Sequence, residues 1–127
     1  DNLPFVDFGD SLTVVQLSTG KDHSCALFVD GRVKCWGYGA IGRLGYGDTQ
    51  SRGVGPDEMG DNLPFVDFGD SLTVVQLSTG KDHSCALFVD GRVKCWGYGA
   101  IGRLGYGDTQ SRGVGPDEMG DNLPFVD

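Results

Sequence analysis

The sequence has few basic residues, no long apolar run and no helical period. Lysine and arginine together number 10, against 18 aspartates and glutamates, which gives a formal net charge of −8. This balance argues against nucleic acid or an anionic membrane surface as a partner, because both need clustered Lys and Arg. No apolar run approaches the roughly 20 residues of a spanning helix, so we expect no membrane insertion. Because apolar residues do not recur at a 3.6-residue spacing, we predict an all-β protein.

What the sequence does contain is a repeat. Residues 1–60 and 61–120 are identical, and residues 121–127 repeat residues 1–7. A period of this size is typical of solenoids, propellers and other arrays. Identity without one substitution leaves three origins open: an engineered pair, a recent amplification, or part of a longer uniform array. The sequence begins at Asp1 with no initiator Met and no signal-like stretch, so we expect a removed leader or a segment of a longer protein.

Each unit contains four candidate strands separated by turn residues. Pro4 cannot donate to a strand ladder, so the first candidate belongs at a sheet edge. Asp30-Gly31 is a strong hairpin signal between the third and fourth candidates. The 22 glycines recur in register with the repeat, so they mark turns and close contacts rather than a flexible linker. In the first unit the four candidates are Leu3–Phe8, Leu12–Ser18, Ser24–Val29 and Arg32–Trp36.

The candidate strands carry apolar residues on both faces. In the hairpin, Ala26 and Phe28 point to one side, while Cys25, Leu27 and Val29 point to the other. A sheet with one solvated face would alternate apolar and polar residues. We therefore expect each small sheet to pack between two neighbours, as in a radial propeller or a stack.

The residues around this hairpin resemble the repeat of the regulator of chromosome condensation family. The resemblance runs from about Val14 to Thr49 and again from Val74 to Thr109. Gly39 and Arg43 depart from the pattern, since family members usually carry Asn and Gln there. In the first unit the matching residues are Gly20, His23-Ser24, Ala26-Leu27, Asp30-Gly31, Val33, Trp36-Gly37, Gly42, Leu44-Gly45 and Gly47-Asp48.

This resemblance implies a β-propeller whose blades have four antiparallel strands. Family members usually have seven blades, and the sequence unit is offset so that the last strand closes the ring. On this basis we expect Leu12–Ser18 to be the innermost strand, the hairpin the middle two and Leu63–Phe68 the outer edge. Residues 12–68 then form one blade and residues 69–127 a second. Residues 1–11 overhang as an outer strand that must pair elsewhere, as on a neighbouring chain.

The founding member of the family catalyses nucleotide exchange on a small GTPase and binds chromatin. Fold alone does not carry that activity to another chain. No inserted segment breaks these two uniform units to form an asymmetric partner site. We therefore expect no enzymatic activity and no cofactor, and we keep nucleotide exchange as the least favoured hypothesis.

The cysteine spacing within each hairpin favours a disulfide. If the turn has three residues and its glycine is left-handed, Cys25 lies opposite Cys35 in a non-hydrogen-bonded pair. Such pairs bring Cα atoms to about 4.5 Å, which a disulfide can bridge, whereas a two-residue turn spoils this geometry. We favour the disulfides Cys25–Cys35 and Cys85–Cys95, and with them an oxidising location outside the cell or on its surface.

The same residues suggest three alternatives to the disulfides: free thiols, a zinc site and a catalytic pair. Buried free thiols are one alternative to the disulfides. His23, Cys25 and Cys35 offer a zinc site, but they supply only three ligands and no CxxC pair. A Cys–His catalytic pair lacks an orienting third group. We therefore assign structural roles to His23, Asp30, Gly31 and Trp36 and to their copies His83, Asp90, Gly91 and Trp96.

Two further motifs carry no predicted site. Gly37–Gly42 spells GxGxxG, but the glycines that follow cannot open a helix, so we reject nucleotide binding there. The carboxylates of the following loop fit no calcium-ligand spacing and indicate solvated charge. These carboxylates belong to Asp48, Asp57, Glu58 and Asp61.

Two identical sheets cannot cover both of their outer faces. A stack of two has one internal interface and leaves two apolar outer faces. Because the units are identical, the face open at one end complements the face open at the other, and such contacts close into a ring or grow as a filament. We predict a homo-oligomer that forms a closed propeller scaffold. A segment of an extracellular fibre or surface array is the alternative, with binding of another protein as a third hypothesis.

Overall fold

A computed structural model describes residues 3–127 and shows two antiparallel three-stranded sheets, in the orders β1-β2-β3 and β4-β5-β6. No α-helix occurs in this described range, which confirms the all-β prediction. No helix there is long and apolar enough to span a bilayer. The strands are β1 (Val14–Thr19), β2 (His23–Phe28), β3 (Val33–Gly37), β4 (Val74–Thr79), β5 (His83–Phe88) and β6 (Val93–Gly97). Short 3₁₀ turns lie at Ala40–Gly42, Gly60–Asn62, Ala100–Gly102 and Gly120–Asn122.

The hairpin between β2 and β3 has a three-residue turn. Phe28 N donates to Arg32 O over 2.9 Å, and Gly31 has a φ of +87°, a conformation that glycine adopts at little cost. The Asp30 carboxylate accepts hydrogen bonds from Arg32 N (3.1 Å) and Arg32 Nε (2.8 Å), which fix the turn. Val29 belongs to this turn and is exposed, so it does not join the apolar face predicted for it.

Strand register divides each sheet into two faces, because cross-strand partners point to the same side. A bulge between Val14 and Gln16 sets the register of β1 against β2. We call the side that carries Cys25 the forward face and the opposite side the rear face. The forward face of the first unit consists of Gln16, Ser18, His23, Cys25, Leu27, Val33 and Cys35. The rear face consists of Val14, Leu17, Thr19, Ser24, Ala26, Phe28, Lys34 and Trp36.

The forward face of the first sheet packs on the rear face of the second. Cys25, Leu27 and Val33 from the forward face share one hydrophobic core with Val74 and Leu77 from the rear face of the second unit. This packing buries apolar side chains of both sheets, which is the main favourable contribution to folding. Each unit therefore covers one face of its twin.

The segment Leu63–Val66 lies where a fourth strand was predicted, but it is extended without being a strand. Val66 N donates to Val33 O of β3 over 2.8 Å. Pro64 has no N–H to donate, and its carbonyl O lies 2.9 Å from the Tyr46 hydroxyl. The same hydroxyl bonds the backbone N and O of Cys35 in β3, so it takes up part of the edge that a strand would otherwise pair with.

The first copy of this segment, within the predicted overhang of residues 1–11, has no such contacts. Leu3 and Phe5 are 91% and 101% exposed, respectively; residues 1 and 2 lie outside the described residues. The chain returns to its own sheet at Phe8. The ring of Phe8 meets Phe28 and Trp36 edge-on, with centroid distances of 5.5 Å and 5.2 Å.

Candidate interface between the repeat units

Arg43 lies at the centre of the contact between the two units, with only 2% of its surface exposed. Its guanidinium lies 3.2 Å from Asp82 Oδ1 and donates to Lys81 O over 3.3 Å. Its backbone O accepts hydrogen bonds from Ser84 Oγ (3.2 Å) and Trp96 Nε1 (3.1 Å). A buried charge is tolerated only when it is paired and hydrogen-bonded. Arg43 therefore ties the loop after β3 to the second unit.

Glycines let this loop approach the second unit closely. Arg43 Nε donates to Ala40 O over 2.9 Å at the start of the 3₁₀ turn, and Gly42 has a φ of +70°. A Cβ atom at Gly45 would lie 2.7 Å from Trp96 Nε1. A side chain there would push the indole away from the backbone O to which it donates. The glycine-rich stretch thus serves close packing between the units.

Gln16 joins β1 of the first sheet to β4 of the second. Its side-chain Nε2 donates to Leu77 O over 2.8 Å, and its Oε1 accepts from Leu77 N over 2.9 Å. The amide therefore satisfies both backbone polar groups of one residue, as a neighbouring strand would. Beside it, Ser18 Oγ and Thr79 Oγ1 lie 2.8 Å apart. These polar pairs fix the register of β1 against β4.

His23 is buried in the same interface. Its Nε2 lies 2.8 Å from Ser84 Oγ, and its buried Nδ1 has no hydrogen-bond partner. Burial lowers the pKa of His23 to about 4, and the positive charge of Arg43 adds to this effect. The carboxylates of Asp22 and Asp82 act in the opposite direction without cancelling it. The ring is therefore neutral at physiological pH.

The depressed pKa of His23 makes stability depend on pH. The unfolded chain takes up a proton near pH 6.5, whereas the folded chain resists it until about pH 4. The contribution of His23 to the free energy of unfolding is thus full above pH 6.5 and is lost as the pH falls from 6.5 to 4, by about 3 kcal/mol in all. Urea titrations across the window measure the slope. We expect His23→Gln to reduce this slope, and part of the remaining slope comes from His83, whose pKa is also lowered by burial. An unchanged slope in the variant would refute the assignment to His23.

The two turn glycines differ in their surroundings although their sequences agree. Gly31 is buried and its carbonyl O accepts from Val74 N of the second unit over 3.1 Å. Gly91 is exposed. The turn carboxylate of Asp90 binds Arg92 N over 3.0 Å, as its counterpart does in the first unit. The turn itself is the same in both units, and only its neighbour differs.

The predicted tryptophan and histidine sites differ in the same way. Trp96 lies on the rear face of the second unit and is fully buried against the first. Trp36 occupies the same position in the first unit and is half-buried. His83, the copy of His23, is also half-buried. The structure places these residues on the two faces of each sheet rather than in a common cavity.

The cysteines of each hairpin lie at disulfide distance. Cys25 is opposite Cys35 with Cα atoms 4.1 Å apart, and the same distance separates Cys85 from Cys95. The backbone N of Cys35 points away from β2 and donates to the Tyr46 hydroxyl over 2.9 Å. This orientation is that of a non-hydrogen-bonded pair, in which side chains approach most closely.

Thiol alkylation tests whether these disulfides form in the purified protein. We expect no alkylation of the native chain and four alkylated cysteines after full reduction, measured by intact mass. Cys25 and Cys35 are both fully buried, whereas Cys85 is only half-buried on the open forward face. Mild reductant should therefore open the Cys85–Cys95 pair first. Four alkylatable thiols in fresh, unreduced material would contradict the disulfides.

This arrangement of sheets is similar to that of solved propellers. Prp20p from Saccharomyces cerevisiae, studied for its binding to Gsp1p and histones, superposes with a TM-score of 0.69 at 17% identity. The match covers 96% of this chain and 27% of Prp20p. Human WBSCR16 superposes with a TM-score of 0.62 at 22% identity, covering 98% of this chain and 28% of that one. These likenesses establish the fold.

Comparison of the amino-acid sequence with known proteins identifies the family. Residues 14–40 and 74–100 match the Regulator of chromosome condensation (RCC1) repeat. Both units are RCC1 repeats. The ultraviolet-B receptor UVR8 of Arabidopsis thaliana is 30% identical over 101 residues, and the probable E3 ubiquitin-protein ligase HERC6 of Homo sapiens is 36% identical over 98 residues. The matches cover 80% and 77% of this chain, which spans only 21% and 9% of those proteins.

The alternative sites written from the sequence do not come together in these RCC1 repeats. Within residues 3–127, no group of three or more His, Cys, Asp or Glu side chains is placed to hold a metal ion. In the acidic loop, Asp48 pairs with Arg52 at 2.7 Å, and Glu58 Oε1 accepts from Val54 N at 2.9 Å. In the GxGxxG stretch, Gly37 N donates to Arg52 O over 2.8 Å. The carboxylates of Asp48 and Glu58 and the backbone of Gly37 are therefore paired within this segment of the chain.

Lys34 is a site residue that the sequence analysis missed. It is 2% exposed, and its Nζ donates to Phe8 O (2.7 Å) and Gly60 O (3.1 Å). The ammonium also lies 4.7 Å from the centroid of the Phe65 ring. Burial lowers the pKa of Lys34. A lysine in the middle of an apolar strand was the available signal, because such a residue needs several acceptors when buried.

Proposed function

We propose that these RCC1 repeats form a non-catalytic module that self-assembles head to tail into a closed propeller scaffold. The observation that carries this proposal is the unequal burial of identical residues. Leu77 is 2% exposed beneath the first unit, whereas Leu17, the same residue on the open rear face, is 61% exposed. The opposite end carries an open forward face with an apolar groove of about 220 Å³ beside Leu87 and Val93.

The two open faces have the chemistry of the buried interface. In that interface, forward residues of the first unit meet rear residues of the second at hydrogen-bond or ion-pair distance. Identical units therefore allow the same contacts between chains, with no new surface required. The forward set open for docking is Gln76, Ser78, His83 and Arg103, and the rear set that would receive it is Leu17, Thr19, Ser24 and Asp22.

Closure of the ring would fix the number of blades at an even value. We assign residues 12–68 and 69–127 to the two blades of each chain, so three chains give six blades and four give eight. The alternative is a segment of a longer array that forms a fibre or a surface structure. Paired cysteines support an oxidising, extracellular or cell-surface location in either case.

Binding of a different protein is the second candidate function. Prp20p binds Gsp1p and histones, but this chain spans about a quarter of it, so those partners and nucleotide exchange are hypotheses here. The exposed apolar side chains of Leu17 and Val15 on the first sheet would serve a partner protein as well as a second copy. A chain that stays monomeric favours this candidate.

The native mass separates these functions. We expect light scattering after size exclusion to give one discrete multiple of 13.5 kDa. Growth without limit at rising concentration would support the fibre, and a monomer at micromolar concentration would contradict self-assembly in either form. Leu17→Asp is the control variant, because it places a charge on the open rear face. It should give monomers that keep the melting temperature of the dilute, dissociated wild type, because association adds stability only where chains assemble.

A further inference from the structure

Each chain contains three copies of the segment Leu-Pro-Phe-Val but only two places that receive it. We call each place an edge site, defined as the outer side of β3 or β6. At the first edge site, Val66 N donates to Val33 O over 2.8 Å. The Phe65 ring lies 3.9 Å beneath the guanidinium of Arg32 and meets Phe28 edge-on with centroids 6.1 Å apart.

The second edge site holds the third copy in the same way. Val126 N donates to Val93 O over 2.8 Å. The Phe125 ring lies 3.8 Å from the guanidinium carbon of Arg92. Leu123 is 1% exposed, as Leu63 is at the first site. The two sites therefore agree in backbone pairing, in aromatic contact and in the burial of their leucine, although Val66 is buried and Val126 only half-buried.

The first copy, residues 3–6, is exposed, yet the residues that follow it make the same contacts as those that follow a copy bound in an edge site. Gly60 N donates to Asp7 O over 2.8 Å, and Gly120 N donates to Asp67 O over the same distance. The ring contacts of Phe8 on its own sheet match those of Phe68, whose centroid lies 5.4 Å from Phe88. From residue 7 onward the first copy thus follows the path of the second.

We propose that the second edge site is an exchange site, which residues 3–6 of a docked second copy enter by displacing residues 123–126. This inference deepens the proposed self-assembly and rests on it. When the rear face of an incoming chain packs on the open forward face of the second unit, residue 7 of the incoming chain comes to lie beside β6, as residue 67 lies beside β3. Residues 3–6 of that chain then reach the site that residues 123–126 already fill.

The exchange makes residues 123–126 an internal competitor of association. Because the two segments are identical, replacing one by the other buries no additional apolar surface. Weakening only the resident segment converts the exchange into a net gain for the incoming one. Burial of one phenylalanine ring corresponds to a change in association of about tenfold to a hundredfold.

Paired full-length variants test the exchange. Phe125→Ala with Val126→Ala weakens the resident segment and leaves Leu123 in place; Phe5→Ala with Val6→Ala is the matched change in the incoming segment. We expect the first variant to associate at least tenfold more tightly in sedimentation, and the quadruple variant to lose this gain. Equal association constants in the wild type and the first variant would overturn the exchange.

A peptide measurement separates this inference from self-assembly. We expect fluorescein-labelled Asp-Asn-Leu-Pro-Phe-Val-Asp to bind the variant with Phe125→Ala and Val126→Ala at least tenfold more tightly than the wild type. The titration is performed where both chains are monomeric. Binding without any oligomer at higher concentration would support the exchange site while removing the proposed assembly. Oligomers without any difference in peptide binding would remove the exchange site alone.

Discussion

Arg43→Ala is expected to lower the free energy of unfolding by about 1.5–3 kcal/mol, the range for hydrogen bonds that involve a charged group. The substitution removes the guanidinium that lies 3.2 Å from Asp82 and donates to Lys81 O. It leaves the backbone O of residue 43, which accepts from Trp96 Nε1, in place. Urea denaturation of dilute monomer, followed by tryptophan fluorescence, measures the loss.

Arg103→Ala is the control for this prediction, because the same residue of the second unit lies at the open forward face. Its side chain is 24% exposed, and its Nη1 lies 3.7 Å from Asp82 Oδ2. Such partly exposed pairs contribute about 1 kcal/mol or less, so the monomer should keep nearly all its stability. The variant should instead weaken association between chains. Equal losses of stability in the two variants would show that Arg43 does not act through the unit interface.

Leu77→Ala is expected to cost about 2–5 kcal/mol, the range for removing a fully buried leucine and leaving a cavity. Leu77 lies on the rear face of the second unit, and its backbone is held by both ends of the Gln16 amide. The cavity would open inside the core that joins the two sheets, which has little freedom to collapse. The midpoint of chemical denaturation measures the effect.

Leu17→Ala provides the comparison within the same chain, because the two leucines have identical sequence neighbours. Leu17 is 61% exposed, so its truncation should change the stability of the monomer by about 0.5 kcal/mol or less. The same change should weaken association, since Leu17 would take the place of Leu77 between chains. A large loss of monomer stability in this variant would mean that the open rear face already has a cover.

These paired variants use an unusual property of the chain: it places the same residue in two environments. Leu17 and Leu77, or Arg43 and Arg103, share local sequence, strand register and turn chemistry. The difference in their expected effects therefore comes from the neighbouring unit alone. Ordinary mutational series vary local context and burial together, whereas here burial varies by itself.

The amino-acid sequence by itself determined the local structure. Asp30 and Gly31 predict a turn, because a carboxylate can bind the backbone beyond it and glycine accepts a positive φ; the sequence left its length open, and the structure shows three residues. That turn sets the register that places Cys25 opposite Cys35. The strands were predicted to within two residues in three of four cases, since alternation and turn residues act over a few positions.

Only the tertiary structure decided which polar groups are buried and what holds the units together. Arg43 and Lys34 look like surface residues in the sequence, yet each is 2% exposed because its partners come from segments far along the chain. The predicted fourth strand became an extended segment, since Pro64 has no N–H to donate and the Tyr46 hydroxyl bonds the backbone N and O of Cys35 on the edge it would pair with. Identical copies of one sequence are buried or exposed according to whether another unit covers them. Burial depends on neighbours in space, and two identical sequences cannot indicate which copy is covered by another unit.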